Sequence, residues 1–234
     1  MSSSKASTLT LFTAIAVVFA GCADSSNTAS MAMAGDNYYP NAITGEGIPN
    51  PNPTRIGSWA SLPEGRAAGL TGRIVKYSAD GEYLMEWGEI GTEHGQFRTP
   101  HALEFDAQGR LWVADRGNHR LEIYDQQGNY LESRYLYGRI SDLFITDDDM
   151  VYAIDSESTE ARHINWRNGV RIGPVDQDWL VGFIGPWESA SRPQNGVTGE
   201  GIAVDADGNV YVAEGPASLS DAGSAFTKYE VGGM

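Results

Sequence analysis

Three side chains stand where their types and spacing allow chemistry: His101, Arg116 and Glu200. An imidazole moves a proton near neutral pH or ligates a metal. A guanidinium grips an oxyanion through a rigid fork of donors. A carboxylate supplies oxygen ligands to a cation. The spacing ties the three together. His101 opens the stretch HALEFDAQGRLWVAD, and Glu200 opens EGIAVDADGNVYVAE, 99 positions later with no gap. Asp106 pairs with Asp205, Gly109 with Gly208, and Val113-Ala114 with Val212-Ala213. Within each stretch the first half runs one way and the second returns beside it. His101 and Arg116 are therefore expected at one rim, with Glu200 and Glu214 at the same rim of another unit. If these stretches line a common axis, the three groups face a central cavity suited to metal or oxyanion binding.

Other candidates are weaker. His94, His119 and His163 fall in turns or outer strands and read as solvated. Asp147-Asp148-Asp149 has the look of a calcium loop, but it stands where Ala107-Gln108-Gly109 stands in the first stretch, so a turn is expected. Trp166, Trp179 and Trp187 lie between repeats and read mainly as core. There is no Gly-x-Ser-x-Gly elbow and no phosphate-loop glycine pattern in a strand–helix setting.

The elements that must position these residues are short strands. A looser third copy, Ser141 to Asp155, follows the first at an offset of 40. A second half-repeat, Arg120 to Leu131, recurs upstream as Arg73 to Leu84 at offset 47, and Phe226-Thr-Lys-Tyr-Glu-Val-Gly is a worn form of it. Each copy runs an alternating strand into a tight turn, three of them Asp-x-x-Gly, where glycine supplies the positive φ that the turn needs. The unit is four antiparallel strands in about 40 to 47 residues, the size of a propeller blade. A lone blade cannot bury both faces, so blades must stack around an axis. Residues 71–231, at about 43 per blade, provide roughly 3.7 blades. The expectation is an all-β propeller of about four antiparallel four-stranded blades, incomplete or with few blades.

These repeats resemble NHL-type β-propeller repeats, and in particular the bacterial secreted relatives of peptidyl-α-hydroxyglycine α-amidating lyase. The residues that carry the resemblance are Trp87-Gly88, Gly95-Gln96-Phe97, Pro100-His101 and Val113-Ala-Asp-Arg-Gly-Asn-His-Arg120. Pro51-Asn-Pro53, Trp59 to Arg66, Trp166 to Gly173 and Gly199 to Asp205 follow the same pattern in the same order. The resemblance covers about residues 51–231. It implies metal-assisted cleavage of a C–N bond, giving an amide and glyoxylate. It also implies a zinc or calcium ion held with help from His101 and Glu200, and Arg116 as a catalytic, ligand-contacting residue. The chain departs from that pattern twice. Only Ala67 to Gly72 separate Arg66 from Arg73, where the family has at least one further blade core. That missing segment would hold another metal histidine and the family's catalytic tyrosine, and Glu200 replaces a histidine in the last repeat. A non-catalytic propeller that binds a small molecule, a peptide or an envelope protein is the alternative reading.

Composition narrows the partners. The 234 residues include 16 Lys and Arg against 31 Asp and Glu, a formal net charge of −15. Such a surface repels phosphate backbones and argues against nucleic-acid binding. With one cysteine, no internal disulfide and no cysteine zinc cluster can form. That cysteine, Cys22, follows the apolar run Leu9 to Ala20 and Gly21, with Lys5 upstream. The run is too short for a mature membrane span and has the length of a signal core. Residues 1–22 thus read as a lipoprotein signal with Cys22 as the lipidated residue, so the expected location is the bacterial cell envelope, reached through a lipid anchor. Residues 23–55, rich in Ser, Asn and Pro, read as a flexible tether, and 56–234 as the propeller domain.

Overall fold

The structure is a computed structural model. It describes residues 60, 62–64, 72–159, 161–185, 187–189, 192–197, 199–213 and 226–230. The expected signal, Cys22, the tether and Glu214 lie outside the described residues, as does the side chain of Trp187.

Seventeen strands build the described part. The first sheet pairs β1 (Ile74–Tyr77) with β2 (Tyr83–Trp87). A short parallel bridge joins β3 (Glu89–Ile90) to β4 (Gln96–Phe97). A four-stranded antiparallel sheet follows, formed by β5 (Pro100–Phe105), β6 (Leu111–Asp115), β7 (Arg120–Tyr124) and β8 (Tyr130–Arg134). The next sheet repeats that order with β9 (Ile140–Ile145), β10 (Met150–Asp155), β11 (Gly169–Pro174) and β12 (Gly182–Ile184). β13 (Trp187–Ser189) pairs with β14 (Arg192–Val197), and the last sheet holds β15 (Gly201–Val204), β16 (Val210–Ala213) and β17 (Phe226–Tyr229). Helix among the described residues is limited to a 3₁₀ turn at Arg116–Asn118.

The repeat arithmetic maps onto this order. The stretches 99 apart are the hairpins β5–β6 and β15–β16, and the loose copy at offset 40 is β9–β10. The half-repeat at offset 47 places β1–β2 where β7–β8 stand in the next sheet, so the first sheet is the outer half of a blade. The chain is a partial β-propeller of the expected all-β class. The first strands of three sheets pack in a row, β5 on β9 and β9 on β15, so these strands line one axis.

Strand alternation explains the packing. Leu111 and Val113 of β6 face the first sheet and share a buried layer with Ile74, Phe97 and Tyr124. Their neighbours Trp112 and Ala114 face the other way, into a layer with Leu121, Ile123, Leu143, Val151 and Ala153. β10 repeats the pattern, with Tyr152 and Ile154 packing toward Ile202, Val210 and Val212. A period of two normally buries one face, and both faces of β6, β7, β10 and β11 are buried because their sheets are sandwiched between neighbours. Each fully buried large apolar side chain contributes about 1.5–3 kcal/mol.

The hairpin turns share one geometry. Gly109, with φ +75°, donates its N–H to Asp106 O at 2.9 Å, and Gly208, with φ +82°, donates to Asp205 O at 3.0 Å. Asp106 Oδ1 accepts from the backbone N–H groups of Gln108 and Arg110, pinning the turn. In the third copy Asp149 takes the same place at φ +61° and donates to Thr146 O. Asp147 to Asp149 are therefore turn residues, as their alignment with 107–109 requires.

Candidate functional site

His101 sits on a β-bulge. Pro100 pairs with Asp115 and Ala102 with Ala114, leaving His101 as the extra residue. Ser141 occupies the same bulge in the next sheet, between Ile140, paired with Asp155, and Asp142, paired with Ile154. A bulge breaks the ladder and re-aims a side chain. The imidazole Nδ1 lies 2.5 Å from Ser141 O. A carbonyl only accepts, so Nδ1 is the donor and Nε2 is the ring nitrogen left to face Glu200.

Arg116 begins the 3₁₀ turn that follows β6. Asp115, fully buried, anchors that turn: its carboxylate accepts from Arg98 N at 2.7 Å, Asn118 Nδ2 at 2.6 Å and Arg120 Nε at 3.2 Å. Gly117 N–H donates to Arg98 O at 2.6 Å, an approach that a Cβ would block. The fork that holds the Asp115 carboxylate is thus Arg120, which also donates to the carbonyls of Thr92, Glu93 and Gln96. Arg116 is released to reach the axis.

There the three expected residues meet. Arg116 Nη1 is 3.5 Å from Glu200 Oε2, and His101 Nε2 is 3.9 Å from the same oxygen. Arg116 Nη1 also donates to Ser141 Oγ at 3.3 Å. Ser141 Oγ and Ser156 Oγ are 2.5 Å apart, and Ser156 Oγ donates to Glu200 Oε1 at 3.1 Å. His101 and Arg116 are largely buried, while the Glu200 side chain is 52% exposed, so the cluster opens to solvent on the Glu200 side. Beside it, Glu157 accepts from Arg139 Nη2 at 2.8 Å and Arg162 Nη1 at 2.6 Å, with Arg116 Nη1 at 3.9 Å. Burial opposes the charged form of Glu157, but these guanidinium groups outweigh it and hold its carboxyl below the usual range. Along the inner strands, burial pushes the Asp142 carboxyl up, opposed by the N–H groups of Ile202 and Leu143 and by His101.

Sequence reasoning missed Ser141 and Ser156, although the repeat contained them. Ser141 follows His101 by 40 positions and Ser156 follows Arg116 by 40. Positions 101, 141 and 200 are one site in the three sheets that begin with β5, β9 and β15. Arg139, Glu157 and Arg162 lie in connections with no periodic signal. The expectation of solvated histidines holds for exposed His94 and fails for His119 and His163. Their half-buried rings lie 4.2 Å apart, His163 stacks on Trp166 at 4.3 Å, and Arg139 Nη1 lies 3.0 Å from His119 Nε2. Burial and these cationic neighbours push both imidazoles below their usual range. Trp179 is exposed rather than core.

The donors do not fit the expected metal ion. His101 and Glu200 offer one nitrogen and one carboxylate, and a guanidinium lies against that carboxylate. Among the described residues no group of three His, Cys, Asp or Glu could hold a metal ion. Zinc needs three protein ligands at least, and a guanidinium in contact opposes any cation. The arrangement instead gathers positive donors in a chain of net charge −15.

Comparison with known proteins agrees with the repeat. Residues 97–124 match the NHL repeat model. Over 58 residues the chain is 50% identical to NHL repeat-containing protein 3 of Mus musculus, covering 25% of this chain and 17% of that protein. Over 48 residues it is 40% identical to Protein brain tumor of Drosophila melanogaster, covering 20% of this chain and 5% of that protein. The chain thus spans only a small part of the curated relatives it matches. Among solved structures, a protein of unknown function from Bacteroides caccae aligns with TM-score 0.47 and 14% identity, over 68% of this chain and 55% of that one. Virginiamycin B lyase from Staphylococcus aureus aligns with TM-score 0.43 and 12% identity, over 69% and 49%. The matched residues cover β4 to β7, so the chain carries an NHL repeat within a partial β-propeller.

Proposed function

We propose that this chain is an exported propeller, lipid-anchored at Cys22, that binds an anionic small molecule or peptide end over its axis. The observation that carries this reading is the meeting of Arg116 and His101 at Glu200 Oε2. A guanidinium with a nearby imidazole and two hydroxyls recognises an oxyanion through charge-assisted hydrogen bonds. Glu200, half-exposed, is the counter-charge that such a ligand displaces.

Titration calorimetry of the full chain in detergent with succinate tests it. Arg116→Lys should weaken binding about tenfold, because a point charge loses the fork geometry. Equal binding by wild type and Arg116→Lys, both folded, would overturn the reading. A dependence of binding on added zinc or calcium would restore the metal reading of this site.

A second reading is the lyase reaction, favoured by His101 Nε2 and Arg116 meeting at one oxygen of Glu200. Arg116 would hold the carboxylate of a peptidyl-α-hydroxyglycine. His101 would take the hydroxyl proton as the C=O bond forms, the C–N bond breaks and the amide nitrogen gains a proton. Glyoxylate release by the full chain supports it, and release no greater than from His101→Gln sinks it.

A further inference from the structure

We infer that the Glu157 carboxylate occupies the seat of a ligand carboxylate, so that a small molecule or peptide with a free carboxylate binds between Arg116, Arg139 and Arg162 after Glu157 swings out. This rests on the anion-binding reading above and names its ligand class and its gate.

Four observations carry it. First, three guanidinium groups converge on one carboxylate: Arg139 and Arg162 donate to Glu157 Oε2 at 2.8 and 2.6 Å, and Arg116 lies 3.9 Å from Oε1. A cluster of three like charges is costly unless an anion sits among them.

Second, the donors exceed the acceptors. The buried Nε atoms of Arg116 and Arg139 have no hydrogen-bond partner among the described residues. Arg116 makes only long contacts to both carboxylates, at 3.5 and 3.9 Å. An incoming carboxylate with freedom to adjust can do better than one tethered to the backbone.

Third, the blade does not need a side chain here. Glu157 corresponds at offset 40 to Gly117, which has none. The backbone at 157 and 158 is held separately, by N–H bonds to Asp155 Oδ1 at 3.2 and 2.8 Å. The side chain can therefore rotate away while its loop stays in place.

Fourth, the groups around the Glu157 carboxylate are mainly cationic or neutral, and the acids nearby have partners of their own. Arg139 lies against His119, which must be neutral at Nε2 to accept from a guanidinium, and His119 packs on His163. The other acids near the cluster are half-exposed Glu200, across Arg116, and buried Asp155, whose carboxylate is already engaged by Arg171 and by the N–H groups of residues 157 and 158.

A carboxylate is favoured over other anions because the present occupant is one, and two of the three guanidiniums already engage it. Glu157 then acts as an internal competitor that sets a threshold for the ligand.

The test compares succinate and inorganic phosphate on the full chain, wild type and Glu157→Ala, by calorimetry, with melting temperatures to confirm folding. Glu157→Ala should bind succinate about tenfold more tightly than wild type. Adding Arg139→Ala or Arg162→Ala to that variant should remove the gain. Glu157→Gln, which keeps size and drops charge, should also bind more tightly than wild type. Unchanged succinate affinity in folded Glu157→Ala and Glu157→Gln overturns the inference. If Arg116→Lys still weakens wild-type binding in that case, the anion-binding reading survives alone. Tighter binding of phosphate than of succinate by Glu157→Ala overturns the carboxylate assignment, and no binding of either anion by any variant overturns both readings.

Discussion

His101 Nδ1 donates to the carbonyl oxygen of Ser141 at 2.5 Å, joining the same bulge position of two successive sheets. The contact does two things at once. It ties β5 to β9 at the axis, and it orients the imidazole so that Nε2 faces Glu200.

That bond makes His101 testable apart from stability. His101→Asn retains a donor near Ser141 O and loses the second nitrogen. Succinate affinity should fall about threefold to tenfold, with the melting temperature within a few degrees of wild type. An affinity equal to wild type would show that Nε2 takes no part.

Asp115 makes a pH-dependent contribution to the stability of the fold. Burial pushes its carboxyl from an ordinary 3.8 up to about 6, opposed by Arg98 N–H, Asn118 and Arg120. The folded chain therefore holds this proton more tightly than the unfolded chain. Its contribution to stability is full below about pH 4 and is lost as pH rises through about 6. Urea melts should show Asp115→Asn losing that slope, and a slope unchanged in the variant would refute the assignment.

Gly117 is required by contact rather than by backbone angle. A Cβ there would meet Arg98 O and Cβ, so the close N–H bond to Arg98 could not persist. Gly117→Ala should cost about 1–3 kcal/mol and displace Arg116, lowering succinate affinity as well. Chemical denaturation measures the first effect and calorimetry the second.

Gly208 is the contrasting case. It has φ +82°, and a Cβ there would meet nothing within 4 Å, so only the backbone conformation opposes a side chain. Gly208→Ala should cost about 1–2 kcal/mol by chemical denaturation, with no change in anion binding.

Cys22 tests the anchor. Cys22→Ser, expressed in a bacterial host that processes lipoproteins, should move the chain from the membrane fraction to the soluble envelope fraction. Retention in the membrane would count against lipid anchoring.

Much of the architecture was legible in the residues because a turn chemistry recurs. Asp106 to Gly109 and Asp205 to Gly208 announce the same hairpin 99 positions apart, and the alternating apolar residues around them mark the paired strands. The convergence of His101, Arg116 and Glu200 followed from the same arithmetic, since equal positions in stacked sheets face one axis. The clamp on Asp115 was harder to read: Arg116 and Arg120 are both near in sequence, and only the turn between them sends one inward and the other to the carboxylate. Arg139, Glu157 and Arg162 were not legible at all. They lie in the connections after β8 and β10, where no period constrains the chain; the pairing of Ile140 with Asp155 brings Arg139 beside Glu157, and sheet stacking adds Arg116. Local sequence sets strands and turns because those depend on near neighbours. The charge cluster depends on how close the turn after β6 comes to the loops around β9 and β10 once the two sheets have packed, a distance that no single stretch of the chain encodes.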